Sequence, residues 1–312
     1  MISLPHLMRG WSLGALAILV LLTGCTASRN LSRGIGHMRQ NDLNDAIQAF
    51  TRAAEADPAF AEPYYHRGNA WALKKQYKQA IADFSRAIEC DGKYVEAYLS
   101  RGAALIESGQ HQEAMNDLSR VIEFDPDHAK AYVLRGLLYR KQGQAKEAMA
   151  DFTRAIESGS GKEYQGYLYR GILYKEQGEA DRALSDIARV LAINPKEAGA
   201  YIQRAEIRLS LKQYDQAIED CRTALSIFPM ISEAYRIRAD AQVGKEDYDL
   251  ALWDYSQAID LDPQNAALYA KRGEVWRILG NSMPACKDFE QSCRLRDCGQ
   301  ADFRAWMDQY CR

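Results

Sequence analysis

An Arg-Gly pair returns along this 312-residue chain at a nearly constant interval. It stands at Arg33-Gly34, Arg67-Gly68, Arg101-Gly102, Arg135-Gly136, Arg170-Gly171 and Arg272-Gly273, with Arg204-Ala205 and Arg238-Ala239 in the two places between. Successive pairs lie 34 residues apart, with one interval of 35. A period of this length marks a repeat architecture, in which one supersecondary unit cannot bury its apolar face alone and neighbours stack to do so. Glycine inside a helix costs about 1 kcal/mol relative to alanine, so its recurrence requires a reason in packing.

Other columns keep the same step. Twelve residues after each Gly or Ala comes an alanine: Ala46, Ala80, Ala114, Ala148, Ala183, Ala217, Ala251 and Ala285. Four further on stands a larger, mostly apolar residue: Phe50, Phe84, Leu118, Phe152, Ile187, Cys221, Tyr255 and Phe289. Most units close near a proline, at Pro58, Pro126, Pro195, Pro229 and Pro263. The glycine reads as a packing device that lets one helix approach the small alanine of the next, as Gly68 against Ala80; the other reading is a flexible kink. Sixteen residues after the arginine comes an aspartate, which predicts the pairs Arg67–Asp83, Arg101–Asp117, Arg135–Asp151, Arg170–Asp186, Arg204–Asp220, Arg238–Asp254 and Arg272–Asp288 between antiparallel helices. A basic ladder for an anionic ligand is the competing reading, and the matched acids neutralise it. At a partly buried interface such pairs set register more than stability.

A 34-residue helix-turn-helix period with this Gly, Ala, aromatic and Pro pattern resembles the tetratricopeptide repeat. The resemblance covers nearly all of the chain after its leader. It implies an all-α fold, a right-handed α-solenoid superhelix of about eight repeats over residues 30–299, with a C-terminal capping helix over 300–312. The tyrosines that open the first helix of each unit (Tyr64, Tyr98, Tyr132, Tyr167, Tyr201, Tyr235, Tyr269) are expected as core or inter-repeat spacers. The family's concave face implies a partner groove that includes Tyr65, Asn69, Leu99, Ile106, Val133, Leu137, Arg140, Leu168, Ile172, Lys175, Ile202 and Leu209. These side chains either form an open apolar docking surface or pack partly against the next repeat. Some family members clamp acidic C-terminal peptides; here Asn69 matches that clamp, while Tyr65, Glu96 and Ser100 replace its other members.

The first 25 residues differ in kind. One cation, Arg9, precedes an apolar run of about a dozen residues, too short to cross a bilayer, which takes about 20. Leu22–Cys25 (LTGC) then resembles a bacterial lipobox. It implies a leader over 1–24 that is removed, lipid on the Cys25 sulfur and a short lipidated tether over 25–29. With Thr26 next, the resemblance implies a place in the cell envelope, on the periplasmic face of the outer membrane if the cell is Gram-negative. An ordinary secretory leader is the alternative.

Seven cysteines include four near the end: Cys286, Cys293, Cys298 and Cys311. An exported chain meets an oxidising compartment. Cys286 and Cys293 are seven apart on one helix, about 10 Å along its axis, too far to bridge each other. A last antiparallel helix brings Cys286 level with Cys311 and Cys293 near Cys298, so those pairings are expected; a zinc site is the alternative. The stretch Gly159–Lys162 (GSGK) lacks the upstream glycine and the strand of a phosphate loop, and reads as a loosened turn around the extra residue.

Net charge is −2 over 312 residues, which gives no push toward nucleic acid. No catalytic or metal-spaced motif stands out. The expectation is a non-enzymatic interaction scaffold, held by its lipid in the bacterial envelope, whose partners are other proteins or peptide segments. No cofactor, metal, nucleic acid or small-molecule substrate is expected. A structural protein that organises peptidoglycan machinery is the alternative.

Overall fold

The computed structural model describes residues 13–159, 164–295 and 311, with side chains from residue 24 onward. These residues form sixteen α-helices and no strand. The first compact unit ends at Gly159 and holds α1 (Leu13–Arg39), α2 (Leu43–Ala56), α3 (Ala61–Leu73), α4 (Tyr77–Cys90), α5 (Val95–Glu107), α6 (His111–Phe124), α7 (Ala129–Lys141) and α8 (Ala145–Ser158). The second unit holds α9 (Tyr164–Glu176), α10 (Ala180–Ile193), α11 (Ala198–Ser210), α12 (Tyr214–Ile227), α13 (Ser232–Gly244), α14 (Tyr248–Leu261), α15 (Ala266–Ile278) and α16 (Ser282–Arg294). Each odd-numbered A helix packs against the even-numbered B helix that follows it, giving eight hairpins in series. Within each unit every B helix then packs on the next A helix.

The turn inside each hairpin has one strained position, and it repeats. Asn41, Lys75, Gly109 and Gly143 in the first unit, and Gly178, Lys212, Glu246 and Gly280 in the second, all have positive φ, between 58° and 82°. This left-handed residue reverses the chain tightly enough for the B helix to fold back along the A helix. Glycine adopts that conformation without cost, whereas a residue with a Cβ is strained there.

The helical glycine does face the partner helix, and its nearest neighbour is the mostly aromatic column, with the Ala183 carbonyl also close to a Cβ on Gly171, at 3.4 Å. A Cβ on Gly68 would meet the Phe84 ring at 2.7 Å, and one on Gly136 would meet Phe152 at 2.6 Å. Gly273 and Phe289 repeat the arrangement at 2.7 Å. At Gly68 the expected close approach is made first to the Phe84 ring rather than to Ala80. Ala80 is fully buried in its own right, but the missing side chain of Gly68 makes room for a ring. The chain's own variation follows this rule with one exception. Opposite Leu118 and Ile187 the clearance rises to 3.4 and 3.2 Å. Ala205 belongs to the hairpin that carries the small Cys221, while Ala239 belongs to the one that carries Tyr255, where a ring and a Cβ coexist.

The arginine, tyrosine and proline columns close into one motif. In each of hairpins 2 to 8 the guanidinium lies over the tyrosine that opens its own helix, from Arg204 over Tyr201 at 5.4 Å to Arg272 over Tyr269 at 5.9 Å. The Tyr132, Tyr201 and Tyr269 hydroxyls donate to the carbonyls of Pro126, Pro195 and Pro263 at 3.2 to 3.3 Å. These tyrosines thus anchor the inter-hairpin turn and carry the arginine on their ring faces, beyond serving as spacers.

The N-terminal boundary also departs from expectation. Residues 25–29, expected as a tether, are part of α1, and Ala27 is fully buried. An alanine-containing stretch helical on both sides gains more by packing than by extending. Cys25 is exposed with a free thiol. No helix among the described residues is long and apolar enough to cross a membrane. Residues 1–12 of the leader, Ser160–Lys162, Cys298 and residues 300–310 of the expected cap lie outside the described residues.

Candidate interaction faces

The arginine–aspartate columns meet side by side along the array. Arg101 Nε and Nη2 donate to the two carboxylate oxygens of Asp117 at 2.7 Å each. Arg67 and Asp83, Arg135 and Asp151, Arg170 and Asp186, Arg204 and Asp220, Arg238 and Asp254, and Arg272 and Asp288 share this two-pronged geometry, with donor distances of 2.6 to 2.9 Å. The aspartates are buried, Asp254 completely. Each arginine is held above its ordinary value chiefly by the hydrogen bond to its aspartate, against the opposing effect of burial. A bidentate fork of this kind is the strong form of the interaction.

The third nitrogen reaches back to the preceding hairpin. Arg67 Nη1 donates to the Thr51 hydroxyl, Arg101 to Ser85, Arg135 to Ser119 and Arg272 to Ser256, at 2.9 to 3.2 Å. The Ser85 hydroxyl in turn donates to the Ile81 carbonyl one turn earlier, at 2.8 Å. This hydroxyl column stands two residues after the aspartate column and was legible as a spacing; sequence reasoning passed over it. It lapses at Ala188 and Arg222, which precede Arg204 and Arg238. There Asp220 takes a second cation instead, Arg208, at 2.6 Å.

The A-helix faces of the two units differ in chemistry. In the first unit a pocket of about 270 Å³ opens between hairpins 2 and 3. Asn69, Ala72, Ser100, Ala103, Ile106, Glu107 and Leu134 line it, above Tyr77, Phe84 and Ala104. It exists because small residues meet there. Ala103 occupies a column filled elsewhere by Asn69, Leu137, Ile172, Glu206, Asp240 and Glu274. Asn69 makes no side-chain hydrogen bond among the described residues, so its amide is available to an incoming backbone. An apolar recess with the polar Asn69 and Ser100 and one acid, Glu107, in its lining suits an apolar side chain of a peptide.

In the second unit the same face carries a chain of charges. Lys175 donates to Gln203 and Glu206, both at 2.6 Å. Glu206 meets Arg236 at 3.5 Å, Arg236 donates to Asp240 at 3.0 Å, and Lys271 donates to Asp240 at 2.8 Å. The Tyr255 hydroxyl also donates to Asp240. Burial first, and the Asp240 charge second, push that phenol far above its ordinary value. The chain links α9, α11, α13 and α15 and satisfies its own charges.

The expected groove residues accordingly divide. Asn69 and Ile106 line the pocket, while Tyr65 packs among Phe84 and Tyr94, with ring centroids 6.1 and 5.1 Å away. Leu99 lies on the hairpin 3 core, Leu168 on that of hairpin 5 and Leu209 on that of hairpin 6. Leu137, Arg140 and Ile172 are half-buried, and Lys175 belongs to the charge chain. Val133 and Ile202 are corrections: they are 2% and 4% exposed, so they are core rather than groove. Branched side chains on an A helix next to a close neighbour gain more from packing than from waiting for a ligand.

At the C-terminal end Cys286 and Cys311 form a disulfide with Cα atoms 5.6 Å apart. Cys293 is also disulfide-bonded, and Cys298 lies outside the described residues. Burial pushes the Cys221 thiol up to about 12, in keeping with its core position. No group of three or more His, Cys, Asp or Glu suited to a metal occurs among the described residues.

Tetratricopeptide repeat families match residues 31–95, 169–229 and 129–158, and a family described as TPR repeat matches 102–143. The chain belongs to the tetratricopeptide repeat proteins, and the class of protein that this fold defines is an interaction scaffold, in general without catalytic chemistry. No curated protein matches the sequence. Among solved structures it is similar to the APC/C hetero-tetramer Cut9-Hcn1, with a TM-score of 0.67 and 14% identity over 86% of this chain and 53% of that one. This chain therefore spans about half the length of that relative. It is also similar to a tetratricopeptide repeat protein from Parabacteroides merdae ATCC 43184, with a TM-score of 0.62 and 19% identity over 83% of this chain and all of that one. Pseudomonas aeruginosa PilF gives a TM-score of 0.62 at 18% identity, covering 70% of this chain and 100% of the other. At these identities the likeness is one of fold.

Proposed function

We propose that this protein is a non-enzymatic docking scaffold of the bacterial cell envelope, anchored by lipid on Cys25, that receives an extended or helical segment of a partner protein on the A-helix face of its first unit. The observation that carries the reading is the 270 Å³ apolar pocket with the unbonded Asn69 amide at its edge. The segment inserts an apolar side chain against Phe84 and Ala104, and Asn69 bonds its backbone. The exposed free thiol of Cys25 after a lipobox-like LTG supports the anchor.

Ala103→Leu tests the pocket. Leucine stands naturally in this column at Leu137, so the variant keeps the helix and fills the recess. Proteins cross-linked to residues 26–312 in cells are identified for both forms. Loss of specific partners from Ala103→Leu supports the reading, and an unchanged partner set overturns it. For the anchor, Cys25→Ala should abolish fatty-acid labelling and release the protein from membranes; retention of both refutes the lipid.

A further inference from the structure

The repeats provide an internal comparison, and α14 departs from it. It is the one B helix of the eight without a lysine or arginine. Its outward face carries Leu250 and Trp253, 57% and 54% exposed. The Leu250 column holds Asp45, Gln79, Glu113, Glu147, Arg182 and Gln216 in hairpins 1 to 6, and the Trp253 column holds Gln48, Ala82, Asn116, Ala150, Ser185 and Glu219. The turn before the same hairpin changes in step. Phe228 and Met230, 56% and 70% exposed, replace the Asp or Asn and the mostly polar residues found at those places in other turns. Tyr235, in the first turn of α13, sits edge-on to Trp253 at 6.1 Å. A helix apolar on both faces is ordinarily covered on both, and large exposed side chains gathered in one place mark a docking surface.

The charges identify what covers it. Asp249 and Asp260 flank Leu250 and Trp253 on the exposed side of α14, and neither forms a salt bridge among the described residues. On the neighbouring α12, Glu219 is already paired with Arg222. The face is therefore apolar at its centre and acidic at its ends, with Asp260 sensed by Arg272 but not paired to it. From this we infer that the outward face of α14, with the Phe228–Met230 turn, is a second docking surface, and that its occupant is a basic amphipathic helix of a partner protein. Its apolar stripe covers Leu250 and Trp253, and its lysines or arginines meet Asp249 and Asp260. This surface is independent of the pocket beside Asn69.

The test uses the full mature chain and a labelled amphipathic helix of leucine and lysine, about 14 residues long, with a leucine–glutamate helix of the same pattern as control. The variant Leu250→Gln/Trp253→Ser takes its residues from the same columns at Gln216 and Ser185, and its fold is verified by circular dichroism and urea unfolding. The leucine–lysine helix should bind the unaltered chain, and the double variant should weaken binding about tenfold or more. Asp249→Asn/Asp260→Asn should weaken it less and flatten its dependence on salt, while Ala103→Leu leaves it unchanged. Absence of binding, equal binding by the glutamate helix, or indifference to Leu250→Gln/Trp253→Ser would each overturn the inference. So would a dimer in sedimentation that the same variant disperses, since the occupant is then a second copy. Adhesion to anionic lipid vesicles lost in that variant, without helix binding, assigns the surface to a membrane instead and also overturns it.

Discussion

The two halves of this array bind their hairpins together by different chemistry. In the first, each arginine from hairpin 2 onward uses its third nitrogen on a hydroxyl of the hairpin before it, and the A-helix face is left apolar and indented. In the second, that hydroxyl is absent before Arg204 and Arg238, and the A helices are instead linked by Lys175, Glu206, Arg236, Asp240 and Lys271. Cohesion placed on the inside of the stack leaves the A face free for a ligand. Cohesion placed on the A face consumes it.

The largest test concerns the fork itself. Removing Arg101 strands the buried Asp117 and should cost about 2–4 kcal/mol, since a carboxylate left buried without its partner is heavily penalised. Arg204→Ala should cost clearly less, because Arg208 still holds Asp220. Urea unfolding, treated as a nearest-neighbour array, compares the two; equal losses break the distinction. Within one hairpin, Arg135→Ala and Asp151→Ala should be similar and their combination strongly non-additive.

Glycine replacement comes next. Gly68→Ala drives a methyl into Phe84 and should destabilise by about 2 kcal/mol. Gly171→Ala, in the second unit, faces the more yielding Ile187 and recovers helix propensity, so its net cost should stay below about 1 kcal/mol. Melting temperatures of the two variants decide it.

The two modes of cohesion respond differently to salt. Ser85→Ala should cost about 1 kcal/mol, with little change when salt is raised. Glu206→Gln should cost a similar amount, about 1 kcal/mol, at low ionic strength and less at high, because its charges are half exposed. A salt-independent loss for Glu206→Gln would remove the contrast. A smaller effect of opposite sign is expected at the strained turn, where Glu246→Gly should raise stability by about 0.5–1 kcal/mol through relief of its positive φ. The smallest belongs to His66, stacked on Phe50 at 5.6 Å. Burial holds its imidazole below the ordinary 6.5, against an upward pull from Glu62. The unfolded chain then binds the proton at a higher pH than the folded one. Stability is full above about 6.5 and declines as pH falls through the lower folded value. His66→Phe should erase that slope in urea titrations run between neutral and mildly acidic pH.

Fixed spacings carried most of the fold. A column at constant step, such as Ala46 to Ala285, reports a packing constraint that each hairpin must meet. What a column touches was harder to read. Glycine and alanine share smallness, but what lies nearest a side chain on Gly68 is the ring of Phe84. The left-handed turn was hidden because Asn41, Lys75, Gly109 and Glu246 share a backbone angle and no chemistry. The pocket was hidden for another reason: three hairpins create it by what they lack, and an absent side chain has no motif. Val133 and Ile202 show the converse, since the pattern that marks a face does not say how close the next helix stands.

The backward reach of the arginines has a direction. The four arginine–hydroxyl bonds run from a later hairpin to an earlier one, and the Thr51, Ser85 and Ser256 hydroxyls are also held by their own helices. A chain leaving the ribosome therefore offers the new hairpins of Arg67, Arg101, Arg135 and Arg272 a hydroxyl acceptor made before them. Trimming from the C-terminal side leaves hydroxyls that water satisfies, whereas trimming from the other side leaves guanidinium groups without their seat. Truncations at the two ends should differ in yield for that reason.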